Sequence, residues 1–67
     1  MTVFLNNIPT QLPEDFMTIA DLVEWKQIQP QGTAIAVNDK LIRQSLWATT
    51  NLNENDQITV ISAAFGG

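Results

Sequence analysis

The sequence predicts an α+β domain in which a mixed sheet of four or five strands carries one main helix packed on one face. Three observations lead to this prediction: a hairpin pattern over Met1–Leu12, one amphipathic stretch after Thr18, and alternating segments in the second half. With 67 residues, the chain has room for one small domain. We therefore expect the element order ββαββ, with the helix covering a single face of the sheet.

A β-hairpin opens the chain. Met1 to Leu5 alternates between two faces, and Asn6-Asn7 tolerates the positive φ angles of a tight turn. Ile8 to Leu12 is therefore predicted to return antiparallel to the first strand. Because Pro9 cannot donate a ladder hydrogen bond, we expect the second strand at an edge of the sheet, or its regular pairing to end early.

The main helix is predicted to begin after Thr18. Thr18 and Asp21 form a Thr-x-x-Asp pattern close to a capping box, with Asp in place of the usual Glu or Gln. Pro30 and Gly32 stop the helix after roughly two to three turns. One stripe at helical spacing contains Ile19, Leu22, Val23 and Lys26.

The second half of the chain contains shorter elements. Thr33 to Asn38 reads as a strand, and Asn38-Asp39 turns the chain into a short fourth strand over Lys40–Arg43. Gln44 to Ala48 has a brief helical pattern. After a polar turn cluster at 51–56, residues 57–62 alternate as the last strand.

These elements suggest a β-grasp plan. If the last strand lies beside the first and parallel to it, the intervening chain supplies the crossover, and the apolar face of the helix covers the sheet. Trp25 and Trp47 are expected to pack within so small a domain rather than to contact partners. The predicted core consists of Val3, Leu5, Ile19, Leu22, Val23, Ile35, Val37, Leu41, Ile58 and Val60.

The chain stops on two glycines directly after the last strand. We expect residues 1–62 to form the domain and residues 63–67, Ala63-Ala64-Phe65-Gly66-Gly67, to form a flexible tail that can be threaded into a partner active site. The Gly67 carboxylate is ionised at neutral pH and is a poor electrophile, so acyl chemistry there requires activation by another protein. The alternative is a frayed terminus or a vector-derived remnant.

Composition excludes several classes of function. The chain has no Cys and no His, which removes the usual nucleophile, acid-base and zinc-ligand choices, so we expect no catalytic residue, no metal and no cofactor. A formal net charge of −4 disfavours binding to nucleic acid. No apolar run is long enough to span a membrane and no signal peptide opens the chain, so we expect a cytoplasmic protein that is not itself an enzyme.

A candidate docking patch lies on the predicted sheet face opposite the helix. Phe4 and Ile61 should project there beside the small side chains of Ala34 and Ala36. The four together would form an apolar surface for a partner. The alternative is a set of scattered surface hydrophobic residues, which is common, or a surface covered by the tail.

Five short motifs lie between the third predicted strand and the C-terminus: Ala34-Ile35-Ala36-Val37-Asn38, Leu41-Ile42, Trp47-Ala48, Asn55-Asp56-Gln57-Ile58 and Gly66-Gly67. Together they resemble the ThiS family, the sulfur-carrier proteins of thiamin biosynthesis, which are ubiquitin-like β-grasp proteins that end in Gly-Gly. The resemblance covers nearly the whole chain. Where the family often has Pro-Arg before the Trp, this chain has Arg43-Gln44, and Phe65 stands where a smaller residue is common.

The resemblance implies a carrier cycle centred on Gly67. An E1-like adenylating enzyme would activate its carboxylate with ATP, and a persulfide protein such as a cysteine desulfurase would supply the sulfur of a thiocarboxylate. Thiazole synthase would then use that sulfur. The chain would be a co-substrate whose partners carry the catalytic groups.

Three other functions remain open from the sequence. The small subunit of molybdopterin synthase is a related Gly-Gly sulfur carrier whose thiocarboxylate serves a different enzyme. A ubiquitin-like modifier would join Gly67 to a target lysine through an isopeptide bond. A plain binding module would leave the tail inert.

Overall fold

Five strands, one α-helix and one 3₁₀ helix make up residues 1–62, the part of the chain that the computed structural model describes. The predicted order ββαββ is confirmed, and the predicted brief helical segment is a 3₁₀ helix between the last two strands. The elements are β1 (Thr2–Leu5), β2 (Ile8–Gln11), α1 (Ile19–Trp25), β3 (Thr33–Val37), β4 (Lys40–Ile42), the 3₁₀ helix (Gln44–Thr49) and β5 (Gln57–Ser62).

The sheet has the strand order β2-β1-β5-β3-β4. β1 and β5 run parallel at its centre, whereas β1 with β2, β3 with β4 and β3 with β5 pair antiparallel. The parallel pair needs a long crossover, which the chain between β1 and β5, including α1, supplies. This arrangement is a β-grasp fold, as the sequence predicts.

Two Asn-led turns set the register of the two hairpins. Asn6 and Asn7 have φ angles of 49° and 68°, and Asn38 and Asp39 have φ angles of 52° and 70°. Both turns are therefore left-handed two-residue turns, the geometry that matches the twist of antiparallel strands. The first turn pairs Leu5 with Ile8, and the second pairs residue 37 with residue 40.

The two edge strands of the sheet are β2 and the short β4. β2 lies at one edge with Pro9 opposite Phe4, so the predicted edge position of this strand is confirmed. At the other edge, the Trp47 indole Nε1 donates to the Ile42 carbonyl of β4 at 3.0 Å. Trp47 is buried, which confirms the prediction that it packs within the domain.

The N-terminus of α1 carries the predicted capping box. The Asp21 N–H donates to Thr18 Oγ1 at 3.3 Å, while Asp21 Oδ2 accepts from the backbone N–H groups of Met17 at 2.8 Å and of Thr18 at 3.0 Å. The N–H groups of Met17 and then Thr18 stabilise the ionised carboxylate and lower the pKa of Asp21. Asp therefore serves at the third helical position even though its side chain is shorter than that of Glu.

α1 ends at Trp25, before the proline, in a two-bond Schellman arrangement. The Ile28 N–H donates to the Val23 carbonyl at 3.0 Å, and the Gln27 N–H donates to the Glu24 carbonyl at 3.1 Å. Gln27 has a φ angle of 55°, in the left-handed region where glycine is usual. The helix thus stops through its own backbone geometry several residues before Pro30.

Trp25 packs at the end of α1 without being fully buried. Its ring contacts Phe16 edge-on, with the two centroids 5.4 Å apart and an interplanar angle of 87°. The Lys26 ammonium lies over the Trp25 ring, 4.8 Å from its centroid. Trp25 is nevertheless 40% exposed, so the prediction that it packs within the domain is confirmed only in part.

The core lies between α1 and one face of the sheet. Six of the ten predicted core residues are buried, and Leu5, Val37 and Val60 pack against them half-buried. Leu41 contradicts the prediction because it is 69% exposed. The buried apolar residues are Val3, Leu12, Ile19, Leu22, Val23, Ile35, Trp47, Leu52 and Ile58.

The register of the second hairpin explains the error at Leu41. Its two-residue turn pairs Ala36 with Leu41 and residue 35 with Ile42. Directly paired residues project from the same face, so Leu41 shares the face of Ala36, opposite α1, and Ile42 packs against the core instead.

Candidate functional site

The sheet face opposite α1 brings together the small and apolar residues of three strands. Ala34 of β3 pairs directly with Ile61 of β5, and Ala36 pairs with Thr59 on one side and Leu41 on the other. Ile61 is 58% exposed, and the two alanines are half-buried. We call Ala34, Ala36, Leu41 and Ile61 the open-face patch.

Phe4, the fourth residue of the sequence-predicted patch, lies on the same face but apart from this group. It pairs with Gln57, four positions before Ile61 along β5. At about 3.3 Å per residue, the two lie on the order of 13 Å apart along the strand direction. The large apolar residue that pairs with the alanines on β4 is therefore Leu41, whereas Phe4 lies at the far end of the same face.

Leu41 is an exposed residue of the open-face patch that the sequence pattern predicts to lie in the core. The signal that identifies it is the two-residue turn at Asn38-Asp39, because such a turn fixes the pairing of Ala36 with Leu41. Because directly paired residues project from the same face, assigning Ala36 to the open face also assigns Leu41 to it.

The C-terminal half of β5 is held by the side chain of a turn residue. The Val60 N–H donates to Asn6 Oδ1 at 2.8 Å, and Asn6 Nδ2 donates to the Val60 carbonyl at 3.4 Å. β1 ends at Leu5, so this amide continues the pairing of β5 beyond the backbone of its neighbour. Two residues later the described part of the chain ends at Ser62, which pairs with Thr33.

A second polar cluster fixes the start of β5. Asp56 is buried, and its carboxylate accepts from Asn38 Nδ2 at 3.0 Å and from the Asn53 N–H at 2.8 Å. Asn38 Oδ1 in turn accepts from the Gln57 N–H at 2.9 Å. The β3–β4 turn and the start of β5 are thereby joined, so that both ends of β5 are anchored by asparagine side chains.

The predicted reactive residue, Gly67, lies outside the described residues, as do Ala63, Ala64, Phe65 and Gly66. The structure does place the last described residue, Ser62, at the C-terminal end of a central strand. Any chemistry at Gly67 therefore takes place five residues beyond this end of the sheet.

Within residues 1–62, no three His, Cys, Asp or Glu side chains are grouped so that they could hold a metal ion. An open groove of about 480 Å³ lies between α1 and the 3₁₀ helix, lined in part by Trp47, Gln27 and Gln44. Among the same residues, no helix has the length and apolar character that crossing a membrane requires.

A ThiS family model matches residues 3–67, which include Gly66-Gly67 and all four residues of the open-face patch. The chain belongs to the ThiS family. The match includes all five residues beyond Ser62, so the family assignment rests on the C-terminal segment as well as on the sheet.

Solved structures share the fold of this ThiS-family chain. A crystal structure of the thiamine biosynthesis protein ThiS from Geobacter metallireducens has a TM-score of 0.84 and 14% sequence identity, with both chains covered completely. An NMR solution structure of a thiamine biosynthesis protein from Geobacter metallireducens has a TM-score of 0.82 and 14% identity, covering all of this chain and 88% of that one. A search of curated proteins found no match.

Proposed function

We propose that this ThiS-family chain is a sulfur carrier that delivers sulfur for thiazole formation in thiamin biosynthesis. The observation that carries the proposal is the family match over residues 3–67, which extends through the terminal Gly66-Gly67. The β-grasp fold and the central position of β5 support it, because β5 ends at Ser62, the residue directly before the C-terminal segment.

The proposed chemistry begins with activation of Gly67. A carboxylate oxygen attacks the α-phosphorus of ATP, pyrophosphate leaves, and an acyl adenylate forms. A persulfide sulfur on a donor protein then attacks the acyl carbon and displaces AMP, giving an acyl disulfide. A thiolate then attacks the cysteine sulfur of the donor protein in that disulfide, forms a new disulfide with it and releases the acyl-bound sulfur as the thiocarboxylate. Glycine suits this sequence because no Cβ obstructs approach to the carbonyl.

The chain contributes the carboxylate, and its partners contribute the catalysts. With no Cys and no His in 67 residues, the persulfide and the acid-base groups come from other proteins. We assign these roles to an E1-like adenylating enzyme, to a persulfide donor such as a cysteine desulfurase, and to thiazole synthase as the acceptor. A cycle that uses ATP and free thiols belongs in the reducing cytoplasm.

We assign partner docking to the open-face patch and chemistry to residues 63–67. Leu41 and Ile61 expose apolar surface, and Ala34 and Ala36, on the strand between them, have short side chains that project little from the sheet. A partner can therefore approach β3 and β5 closely and bury both large side chains. From Ser62, five extended residues reach at most about 17 Å, enough to enter a narrow active site.

The adenylation step is tested by exchange of labelled pyrophosphate into ATP, which requires an acceptor carboxylate. We expect exchange when the adenylating enzyme is given the full chain. The matched control is the same chain with a C-terminal carboxamide on Gly67, which differs only in the reacting group and should support none. Equal exchange with both chains would contradict activation at Gly67.

The identity of the enzyme that accepts the sulfur distinguishes a carrier for thiazole formation from the small subunit of molybdopterin synthase. The thiocarboxylate form should lose its sulfur when it is incubated with thiazole synthase and its other substrates. Sulfur transfer to the large subunit of molybdopterin synthase instead would identify the other pathway. Conjugates of higher mass on a denaturing gel would identify a protein modifier.

A further inference from the structure

The groove between α1 and the 3₁₀ helix lies in the helix layer, on the side of the sheet away from the open-face patch. Its volume is about 480 Å³, and its lining includes the apolar side chains of Val23, Ile28 and Trp47. Gln27, Ile28 and Gln44 also line a second opening past the end of α1, so the groove continues beyond the helix. A partner seated in this groove would leave the open-face patch uncovered.

One wall of the groove carries two carboxylates. Asp21 and Glu24 stand three positions apart on α1, and both line the groove. Side chains at this spacing on a helix are neighbours, about 5–6 Å apart at Cβ. The Met17 and Thr18 N–H groups hold the pKa of Asp21 below its ordinary value, so this carboxylate is ionised at neutral pH. The wall therefore presents negative charge to an occupant.

No lysine or arginine of residues 1–62 lines the groove. The Lys26 ammonium lies over the ring of Trp25, 4.8 Å from its centroid, and neither residue belongs to the lining. The whole chain has seven acidic and three basic residues. Since complementary potentials favour association, the occupant that matches this wall carries a positive charge.

Amide side chains stand on both sides of the groove near the end of α1. Gln27 follows the helix, Gln44 begins the 3₁₀ helix, and both are exposed. Each amide offers donors and an acceptor, which match the C=O and N–H groups of an extended peptide. α1 has seven residues and is about 10 Å long, a length that three extended residues span. The groove therefore has the length and the hydrogen-bonding groups for a short extended segment.

We propose that this groove binds an extended segment of a partner protein in which an arginine is flanked by apolar side chains. The guanidinium lies between Asp21 and Glu24 and donates to both, because its fork of N–H groups suits paired carboxylate acceptors. The flanking side chains cover the ring of Trp47. Trp47 Nε1 already donates to the Ile42 carbonyl at 3.0 Å, so the indole offers the occupant its apolar ring and no donor.

The probe is the peptide acetyl-Ala-Leu-Arg-Leu-Ala-amide, titrated into the isotope-labelled full chain and followed by NMR. We expect the side-chain amide signals of Gln27 and Gln44 and the indole signal of Trp47 to shift, with weaker binding as salt is added. The absence of shifts at the groove up to about 5 mM peptide would contradict the proposal. Shifts confined to the open-face patch would contradict it as well.

A matched peptide with citrulline in place of arginine tests the charge. Citrulline keeps the shape of the side chain and removes its charge, so this peptide should bind about two- to fivefold more weakly. Equal binding of the two peptides would contradict the role of the carboxylates. Neither measurement requires a partner enzyme or a reaction at Gly67, so the result is independent of the proposed function.

Glu24→Gln and Glu14→Gln are matched variants of the chain. Both replace an exposed carboxylate by an amide and change the net charge equally, but only Glu24 lines the groove. We expect Glu24→Gln to raise the Kd for the arginine peptide about two- to fivefold and to reduce the difference between the two peptides. Glu14→Gln should leave the Kd unchanged. Equal Kd values for the two variants would show that net charge alone decides, which would contradict the site.

Two other occupants of the groove would give different results. A second copy of the chain would shift the signals of Gln27 and Gln44 with protein concentration before any peptide is added. The C-terminal segment of the same chain would compete with the peptide, so Phe65→Ala would then bind it more tightly. We expect unchanged signals on dilution and an unchanged Kd for Phe65→Ala, and either departure would contradict the assignment to a partner segment.

Discussion

Asn6 and Val60 form a two-point hydrogen-bond pair in which the side chain of a turn residue takes the place of a neighbouring strand. The Val60 N–H donates to Asn6 Oδ1 at 2.8 Å, and Asn6 Nδ2 donates to the Val60 carbonyl at 3.4 Å. The pair lies two residues before the end of β5. It therefore anchors the segment from which residues 63–67 extend.

Asn6→Ala should loosen the end of β5. Asn7→Ala is the matched control, because both residues occupy the left-handed turn and only Asn6 belongs to the pair with Val60. With a net contribution of about 0.5–1.5 kcal/mol for one hydrogen bond, we expect exchange of the Val60 amide hydrogen to accelerate about three- to tenfold more in Asn6→Ala than in Asn7→Ala. Equal exchange in the two variants would show that the pair adds no protection.

Gln27→Gly should stabilise the domain. Gln27 has a φ angle of 55° at the end of α1, which costs a residue with a Cβ about 1–2 kcal/mol, partly offset by the larger entropy that glycine loses on folding. We expect a net gain of about 0.5–1 kcal/mol in the free energy of unfolding from urea titration. Gln27→Ala keeps the Cβ and should show no gain. A Gly variant no more stable than the Ala variant would contradict strain at this position.

Asp21 should make stability depend on pH in the acid range. Because the Met17 and Thr18 N–H groups lower its pKa in the folded chain, the stabilisation is present above the unfolded pKa of about 3.9 and is lost as the pH falls through the lower folded value. Asp21→Asn keeps an oxygen acceptor but cannot titrate. The stability difference between the two chains should therefore shrink between about pH 5 and pH 2. A difference that stays constant over this range would contradict the assignment.

The open-face patch should contribute to partner affinity. Ile61→Asp should raise the Kd for the adenylating enzyme about tenfold or more by calorimetry, because it places a carboxylate in an apolar contact. Ile8→Asp is the matched control, since Ile8 is 64% exposed on the edge strand β2 and Ile61 is 58% exposed. Equal affinities for the two variants, whether weakened or unchanged, would remove the patch from the interface.

Local signals predicted most of this fold. The Asn6-Asn7 turn, the capping box at Thr18 and the helical stripe each depend on residues close in sequence, and all three are confirmed. The parallel pairing of β5 with β1 also agrees with the sequence-based plan, because a hairpin, one helix and a terminal strand leave few ways to bury one helix face.

The sequence-based predictions of burial failed at residues whose burial depends on contacts with segments distant in the sequence. Leu52 is buried although it stands in a polar turn cluster, and its N–H donates to the Met17 carbonyl at 2.8 Å, a contact that no local pattern indicates. Leu12 is buried after the end of β2 for a similar reason. Leu41 is exposed although β4 is apolar, because the register that its turn imposes pairs it with Ala36 on the open face.

The site was predictable in part for the same reasons. Alternation along β3 and β5 placed Ala34, Ala36 and Ile61 on one face, and their register confirms that placement. The distance between Phe4 and Ile61 depends on the offset of the parallel pair β1 and β5, which no turn fixes. The reactivity of Gly67 stays a prediction from the terminal glycines and the family.

Intact-mass spectrometry of the full chain and of a chain that lacks Gly67 tests the central claim most directly. After incubation with the adenylating enzyme, ATP and a persulfide donor, we expect the full chain to gain about 16 Da, as sulfur replaces one terminal oxygen. The shortened chain should keep the same thermal midpoint and gain nothing, because its reacting carbon is displaced by about 3.5 Å. The same gain in both chains, or fragments that place the sulfur away from the C-terminal carbonyl, would contradict the carrier role of Gly67.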